Sequence, residues 1–173
     1  SVSTRGGHLV QAGARLVANA GTPPRPFRIG VPATDVFPTA VWAKLTSRRW
    51  RAGTVHLGDG DPAGDIELRE AIATYLTNAR GARCSSDQVI VVSGTQQALD
   101  LAARVLLDPG DHVWMEDPGY GGAQSTFTAC DATIVPVPVD DEGMRIADGV
   151  QLHDGARMAY VTPSHQFPLG SVM

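Results

Sequence analysis

The chain has 173 residues, of which 43% are hydrophobic and 18% are charged, and its formal net charge is −4. This composition is typical of a globular protein rather than a disordered one, and the length suits one domain or part of a larger one. A net negative charge without a long basic run argues against a surface that follows a nucleic-acid backbone. The densest basic cluster, residues 48–51, falls on a predicted helix, where we expect a solvated face or carboxylate partners rather than DNA.

The cysteine and histidine usage narrows the chemistry. Cys84 and Cys130 lack CxxC spacing, and the chain shows neither a signal peptide nor an apolar run of membrane-spanning length, so we expect a reduced, cytoplasmic protein. The histidines show no metal-ligand spacing, and no metal site is predicted. Lys44 is the only lysine, so any chemistry that needs an amine side chain must use it.

The first half of the chain predicts a linker followed by two helices. Residues 1–26 read as a linker and N-terminal segment, and helical spacing covers residues 40–50, with an apolar face expected to meet a core: Val41, Trp42, Leu45 and Trp50. Residues 58–64 form a glycine-rich loop. An amphipathic helix follows over residues 65–80, capped by Asp65 and stopped by Gly81.

The second half alternates between strands and helices. Strands are predicted over residues 87–94, 112–117, 132–139 and 156–162, and helices over residues 95–107 and 123–130. Pro136 and Pro138 place their missing N–H groups on one side, so residues 132–139 should form an edge strand. The alternation predicts βαβ units and a largely parallel sheet, whose ligands bind beyond the carboxyl ends of the strands.

The junction at Gly94, Thr95 and Gln96 is a candidate anion site. A strand, a glycine turn and a helix start, with Thr95 as the expected cap, leave free N–H groups at the positive end of a helix dipole. The alternative is a strand–helix junction that holds no ligand. Two further polar segments leave the same predicted sheet edge, residues 116–120 and 162–165, so one crevice is expected.

Four linked motifs resemble a known family. Val92-Ser-Gly-Thr-Gln-Gln-Ala-Leu99, Leu107-Asp-Pro-Gly-Asp111, Glu116-Asp-Pro-Gly-Tyr120 and Thr162-Pro-Ser-His-Gln-Phe-Pro-Leu-Gly170 resemble the fold type I, pyridoxal-phosphate-dependent aminotransferases. Within that superfamily, the last motif, with residues 27–38 and 60–64, resembles the effector domain of MocR-type (GabR/PdxR-like, GntR family) transcriptional regulators.

The resemblance implies a fold and a set of cofactor contacts. It implies an α/β fold, the three-layer, mainly parallel sheet of the aspartate aminotransferase-like large domain, with residues 27–173 as its truncated first part. It implies phosphate binding by Gly94, Thr95 and Gln96, ring stacking by Tyr120, and His165 beside the phenolic oxygen of the cofactor. It also places Arg28 and Gly30 at the substrate entrance. The alternatives are a Tyr120 packed under its loop, a solvated His165 and a simple surface arginine.

Two departures from the family pattern bear on activity. The family usually has a tyrosine before the Gly-Asp-Pro-Ala-Gly segment, where this chain has Asp59, so the contact with a neighbouring subunit's phosphate is lost or Asp59 points away. The resemblance also puts the Schiff-base lysine, the aspartate that pairs with the pyridine nitrogen and several strands after Met173. We therefore expect a chain that is catalytically inactive as given, with an incomplete sheet and a fold that is destabilised, rearranged or completed by another chain through its open edges.

Three functions remain open at this point. The first is an effector domain that binds pyridoxal phosphate and an amine or amino acid, is dimeric in the full-length protein, and reaches DNA only through a domain absent from this chain. The second is a fragment of a genuine class I/II aminotransferase. The third is an α/β module that keeps the fold but binds nothing.

Overall fold

The computed structural model describes residues 3, 6–7, 10, 32–51, 53–58 and 60–173. The described residues fall into two compact units, one within residues 30–93 and the other made of residues 94–173 with the few described residues that precede residue 30. No helix in this part of the chain combines the length and the apolar character needed to cross a bilayer. The predicted linker over residues 1–26 lies almost entirely outside the described residues.

The first unit contains helix α1, Thr39–Arg51, and helix α2, Ile66–Arg80, with short 3-10 helices at Thr34–Val36, Gly53–His56 and Ser86–Gln88. Helix α1 is confirmed, but the prediction that its apolar face meets a core is wrong. Its four large apolar side chains are 47–64% exposed: Val41, Trp42, Leu45 and Trp50. The reason is that only Arg69 and Ala73 are buried among the described residues of this unit, which therefore provide no apolar core for α1.

Helix α2 begins and ends where local chemistry predicts. The carboxylate of Asp65 accepts a hydrogen bond from the Leu68 N–H at 3.0 Å, and Gly81 adopts a left-handed conformation with φ of 66° at the C-terminal end. Both features satisfy backbone groups that a helix end leaves unpaired. On the inner face, the guanidinium of Arg69 donates to Asp61 at 2.7 Å and to the Gly64 carbonyl at 3.0 Å, which fixes the preceding loop.

The prediction of a strand over residues 87–94 is wrong. Residues 86–88 are a 3-10 helix, Val89 is extended, and residues 89–92 belong to no strand and pair with none among the described residues. The Val91 N–H instead donates to the Ala63 carbonyl at 2.8 Å, and Ile90 is 58% exposed. A β-branched run favours extended backbone, but only a ladder partner makes it a strand.

The second unit contains a four-stranded sheet in the order β3-β2-β1-β4. The strands are β1, His112–Asp117; β2, Thr133–Asp140; β3, Gly143–Met144; and β4, Met158–Tyr160. β1 pairs in parallel with both β2 and β4, which confirms the mainly parallel sheet. The edge prediction for β2 holds over most of its length, because β3 pairs, antiparallel, only with Val139 and Asp140.

Helices cover both faces of this sheet and give three layers. Helix α3, Thr95–Leu106, and helix α4, Gly121–Ala129, pack on the face that carries Val113 and Met115 of β1. Helix α5, Ile146–Leu152, which the sequence analysis did not predict, packs against β2 and lies beside Trp114 on the other face. The parallel order of β1 and β4 brings the loops that follow them to the same sheet edge.

Candidate functional site

The first turn of α3 has the chemistry of an anion site. Gly94 is the N-cap, with φ of 156° and ψ of 175°, a region that is essentially restricted to glycine. Thr95 is the first helical residue, so the prediction that Thr95 caps the helix is wrong, and the N-cap glycine has no side chain with which to cap it. The N–H groups of Thr95 and Gln96 have no acceptor among the described residues and lie on an exposed turn. Such groups, with the helix dipole, favour a bound anion.

The side chain of Gln96 is hydrogen-bonded to α4 and does not add to the candidate anion site. Its amide nitrogen lies 3.3 Å from Thr126 Oγ1 and 3.4 Å from the Gly122 carbonyl oxygen, both on α4. These long hydrogen bonds connect the start of α3 to the start of α4. Gln96 therefore offers its backbone N–H, not its side chain, to an anion at the end of α3.

Tyr120 lies directly before α4 as its N-cap residue and is half-buried against the main apolar cluster. Its ring meets that of Phe167 edge to face, with centroids 5.7 Å apart and an interplanar angle of 80°. A Cβ atom added at Gly122 would lie 2.5 Å from Cζ of Tyr120, so only glycine leaves room for this ring. These contacts fix the ring, and its stacking on a cofactor remains a prediction.

His165, for which the sequence predicts a cofactor contact, is exposed, whereas the two residues after it face inward. His165 is exposed and makes no hydrogen bond or ion pair with another described residue. The next two residues, which the sequence analysis quoted but gave no role, are the ones that face inward: Gln166 is 3% exposed and Phe167 contacts Tyr120. The role predicted for His165 beside the cofactor stays untested.

Glu116 at the end of β1 organises the polar contacts of this edge, and the sequence analysis missed it. Its side chain belongs to a residue that is 4% exposed, and it accepts hydrogen bonds from the Thr162 hydroxyl at 2.6 Å and the Thr162 N–H at 3.2 Å. The Gln166 amide nitrogen, whose nearest acceptors are the Pro118 and Phe167 carbonyls at 2.8 Å, makes a longer contact with the same carboxylate at 3.3 Å. The available signal was a carboxylate at the end of an apolar strand, a position where burial demands hydrogen-bond donors.

Burial and two neighbouring acidic side chains raise the pKa of one tyrosine at this end of the sheet. The pKa of Tyr160 on β4 is raised above 10.0, first by burial and then by Tyr120 and Glu116. The ring of Tyr160 also meets Phe127 of α4 edge to face at 5.9 Å. Tyr160 therefore carries a neutral hydroxyl at neutral pH and packs against the main apolar cluster.

Several predicted site residues cannot be placed. Arg28, Gly30 and Asp59 lie outside the described residues. Lys44 is on α1 and is exposed. Within the described part of the chain, no group of three histidine, cysteine or acidic side chains is arranged to hold a metal ion.

The sheet, its covering helices and the motifs at its edge define the aminotransferase type of α/β fold. The family model for aminotransferase class I and II matches residues 27–156, and the chain belongs to this family.

Sequence relatives include both regulators and enzymes. The chain is 44% identical over 148 residues to the probable rhizopine catabolism regulatory protein MocR of Rhizobium meliloti, covering 85% of this chain and 30% of that protein. It is 37% identical to the HTH-type transcriptional regulator YdeL of Bacillus subtilis, covering 85% and 31%. The resemblance to MocR-type regulators is thereby confirmed, and the chain spans about a third of the length of these relatives.

Solved structures confirm the fold. LysN, an α-aminoadipate aminotransferase of Thermus thermophilus complexed with N-(5'-phosphopyridoxyl)-L-leucine, superposes with a TM-score of 0.73 at 31% identity, covering 83% of this chain and 36% of LysN. An archaeal alanine:glyoxylate aminotransferase gives 0.78 at 27% identity, covering all of this chain and 44% of the enzyme.

Proposed function

We propose that this chain is part of the aminotransferase-like effector domain of a MocR-type transcriptional regulator and contributes to a pyridoxal phosphate site. The observation that carries the proposal is the first turn of α3, where Gly94 leaves the cap open and the N–H groups of Thr95 and Gln96 lack acceptors among the described residues. These donors fit a phosphate group. The similarity to regulators, and to an enzyme complexed with a phosphopyridoxyl compound, supports this assignment.

The residues of the chain would bind and orient the cofactor. The α3 N-terminus would hold its phosphate, and the ring of Tyr120, kept in place by Phe167 and Gly122, would present an aromatic surface to its pyridine ring. Pyridoxal phosphate supplies an aldehyde that reacts with amines and a ring that accepts electrons. An amine or amino acid is the effector that suits this chemistry.

The remaining parts of the proposal concern the whole protein. A cytoplasmic homodimer would read DNA through a domain that is separate from this chain, as the HTH-type relatives suggest. Pyridoxal phosphate with an amine should then change the affinity of the full-length protein for its DNA site. Transfer of amino groups by the full-length protein, without any DNA binding, would favour an aminotransferase instead.

Cofactor binding is tested on the chain by titration with pyridoxal phosphate, followed by the absorbance and circular dichroism of the bound cofactor. Gly94→Ala should weaken binding about tenfold, because alanine strains φ of 156° and turns the first N–H groups away. Gly110→Ala is the matched control, since Gly110 also has positive φ and open space around its Cβ position but lies at the other end of α3. Equal affinities of both variants and the wild type would contradict the proposed phosphate site.

A further inference from the structure

The buried carboxylate of Glu116 has no ion-pair partner among the described residues, so hydrogen bonds alone must compensate its burial. All of its hydrogen-bond donors come from one segment, the loop that follows β4. Thr162 provides its hydroxyl and its backbone N–H, and Gln166 provides its amide. Glu116 therefore attaches the segment that follows β4 to the end of β1.

The side chains of Thr162 and Gln166 connect Glu116 to the backbone of Phe167. The Thr162 hydroxyl, which donates to Glu116, also accepts the Phe167 N–H at 2.9 Å. The Gln166 amide lies 2.8 Å from both the Phe167 carbonyl and the Pro118 carbonyl, and Pro118 is two residues before Tyr120. The backbone of Phe167 is thus fixed on both sides, and its ring meets that of Tyr120.

We propose that Glu116 is a positioning residue of the cofactor site, which acts through Thr162 and Gln166 to hold Phe167 against Tyr120 and so sets the angle of the Tyr120 ring. This inference rests on the proposed function, because the Tyr120 ring matters only if a flat ligand stacks on it. Glu116 itself would not contact the cofactor. The phosphate donors on α3 are independent of the Glu116 contacts, so the two parts of the site can be separated by experiment.

The decisive variant is Thr162→Val, which keeps the volume of the side chain and removes the hydroxyl that connects Glu116 to Phe167. Thr162→Ser is the matched control because it keeps the hydroxyl. Both are titrated with pyridoxal phosphate and, separately, with inorganic phosphate as a competitor, and the induced circular dichroism of the bound cofactor is recorded. This signal reports the orientation of the cofactor ring relative to its aromatic neighbours.

Thr162→Val should weaken pyridoxal phosphate binding about tenfold and reduce the induced signal per bound cofactor, with the inhibition constant of inorganic phosphate unchanged within about twofold. Thr162→Ser should behave as the wild type. If Thr162→Val does not fold, Phe167→Leu replaces it, since leucine leaves the Glu116 contacts in place but removes the ring that meets Tyr120; the same loss of signal is expected.

The outcomes separate this inference from the proposed function. A wild-type chain that shows no cofactor signal at all overturns the proposed function and the positioning role with it. A wild-type signal that Thr162→Val or Phe167→Leu leaves intact overturns only the positioning role. Equal losses of phosphate and pyridoxal phosphate binding also overturn it, because they indicate a general structural defect.

Discussion

At the scale of single residues, the partly buried hydroxyl of Tyr160 on β4 makes the free energy of unfolding depend on pH. Its pKa in the folded protein is raised above 10.0 by burial and by Tyr120 and Glu116. The unfolded chain therefore releases this proton first. The contribution of the neutral hydroxyl is fully present below pH 10 and is lost as the pH rises through the folded-state pKa.

Replacing Tyr160 with phenylalanine tests this linkage. Phenylalanine keeps the edge-to-face contact with Phe127 but cannot ionise, so the free energy of unfolding should fall less between pH 8 and pH 11 in Tyr160→Phe than in the wild type. Urea unfolding at the two pH values measures it. Tyr75→Phe, at a position that is 60% exposed in the other unit, is the control and should leave the difference unchanged. Identical pH dependence in Tyr160→Phe and the wild type would contradict the assignment.

Among the elements, helix α2 owes its bounds to local chemistry, which makes the contribution of its cap measurable. Asp65→Ala removes the acceptor of the Leu68 N–H and should destabilise the helix by about 1 kcal/mol. Asp65→Ser retains a capping oxygen and should cost only a few tenths of that amount. Far-ultraviolet circular dichroism during urea unfolding measures both. A loss in Asp65→Ser as large as that in Asp65→Ala would show that the cap is not the cause.

The elements that the sequence predicted well are those with local signals. Asp65 and Gly81 mark the ends of α2, and short apolar runs bounded by Asp, Pro and Gly turns mark β1 and β2. The predicted strand over residues 87–94 failed because pairing depends on distant partners. Helix α5 was missed because its seven residues are short for a periodic signal and its packing depends on Trp114, which lies close to Gly149.

In the candidate site too, some features follow from neighbouring residues in the sequence, whereas others depend on distant contacts. The open turn at Gly94 follows from a glycine between a β-branched run and a helix, and it could be predicted from neighbouring residues. The inward orientation of Gln166 and Phe167, in place of His165, depends on hydrogen bonds to Glu116 and Pro118, which lie 48 to 50 residues away in the chain. No local pattern encodes which of three consecutive loop side chains such contacts turn inward.

At the scale of the whole molecule, the two units differ in how many residues they bury, and we expect their stabilities to differ. The unit within residues 94–173 contains the parallel sheet and both apolar clusters, whereas in the described residues 32–93 only Arg69 and Ala73 are buried. Local opening is least costly where few apolar contacts are buried.

Hydrogen–deuterium exchange with mass spectrometry should therefore find β1 amides exchanging at least tenfold more slowly than α1 amides. On heating, α1 should lose its protection before β1 does. The comparison uses Phe127→Leu as its control, because this change in the apolar cluster should speed exchange in β1 and leave α1 as it was. Equal protection of α1 and β1, lost together in one sharp thermal transition, would show instead that the two units unfold as one.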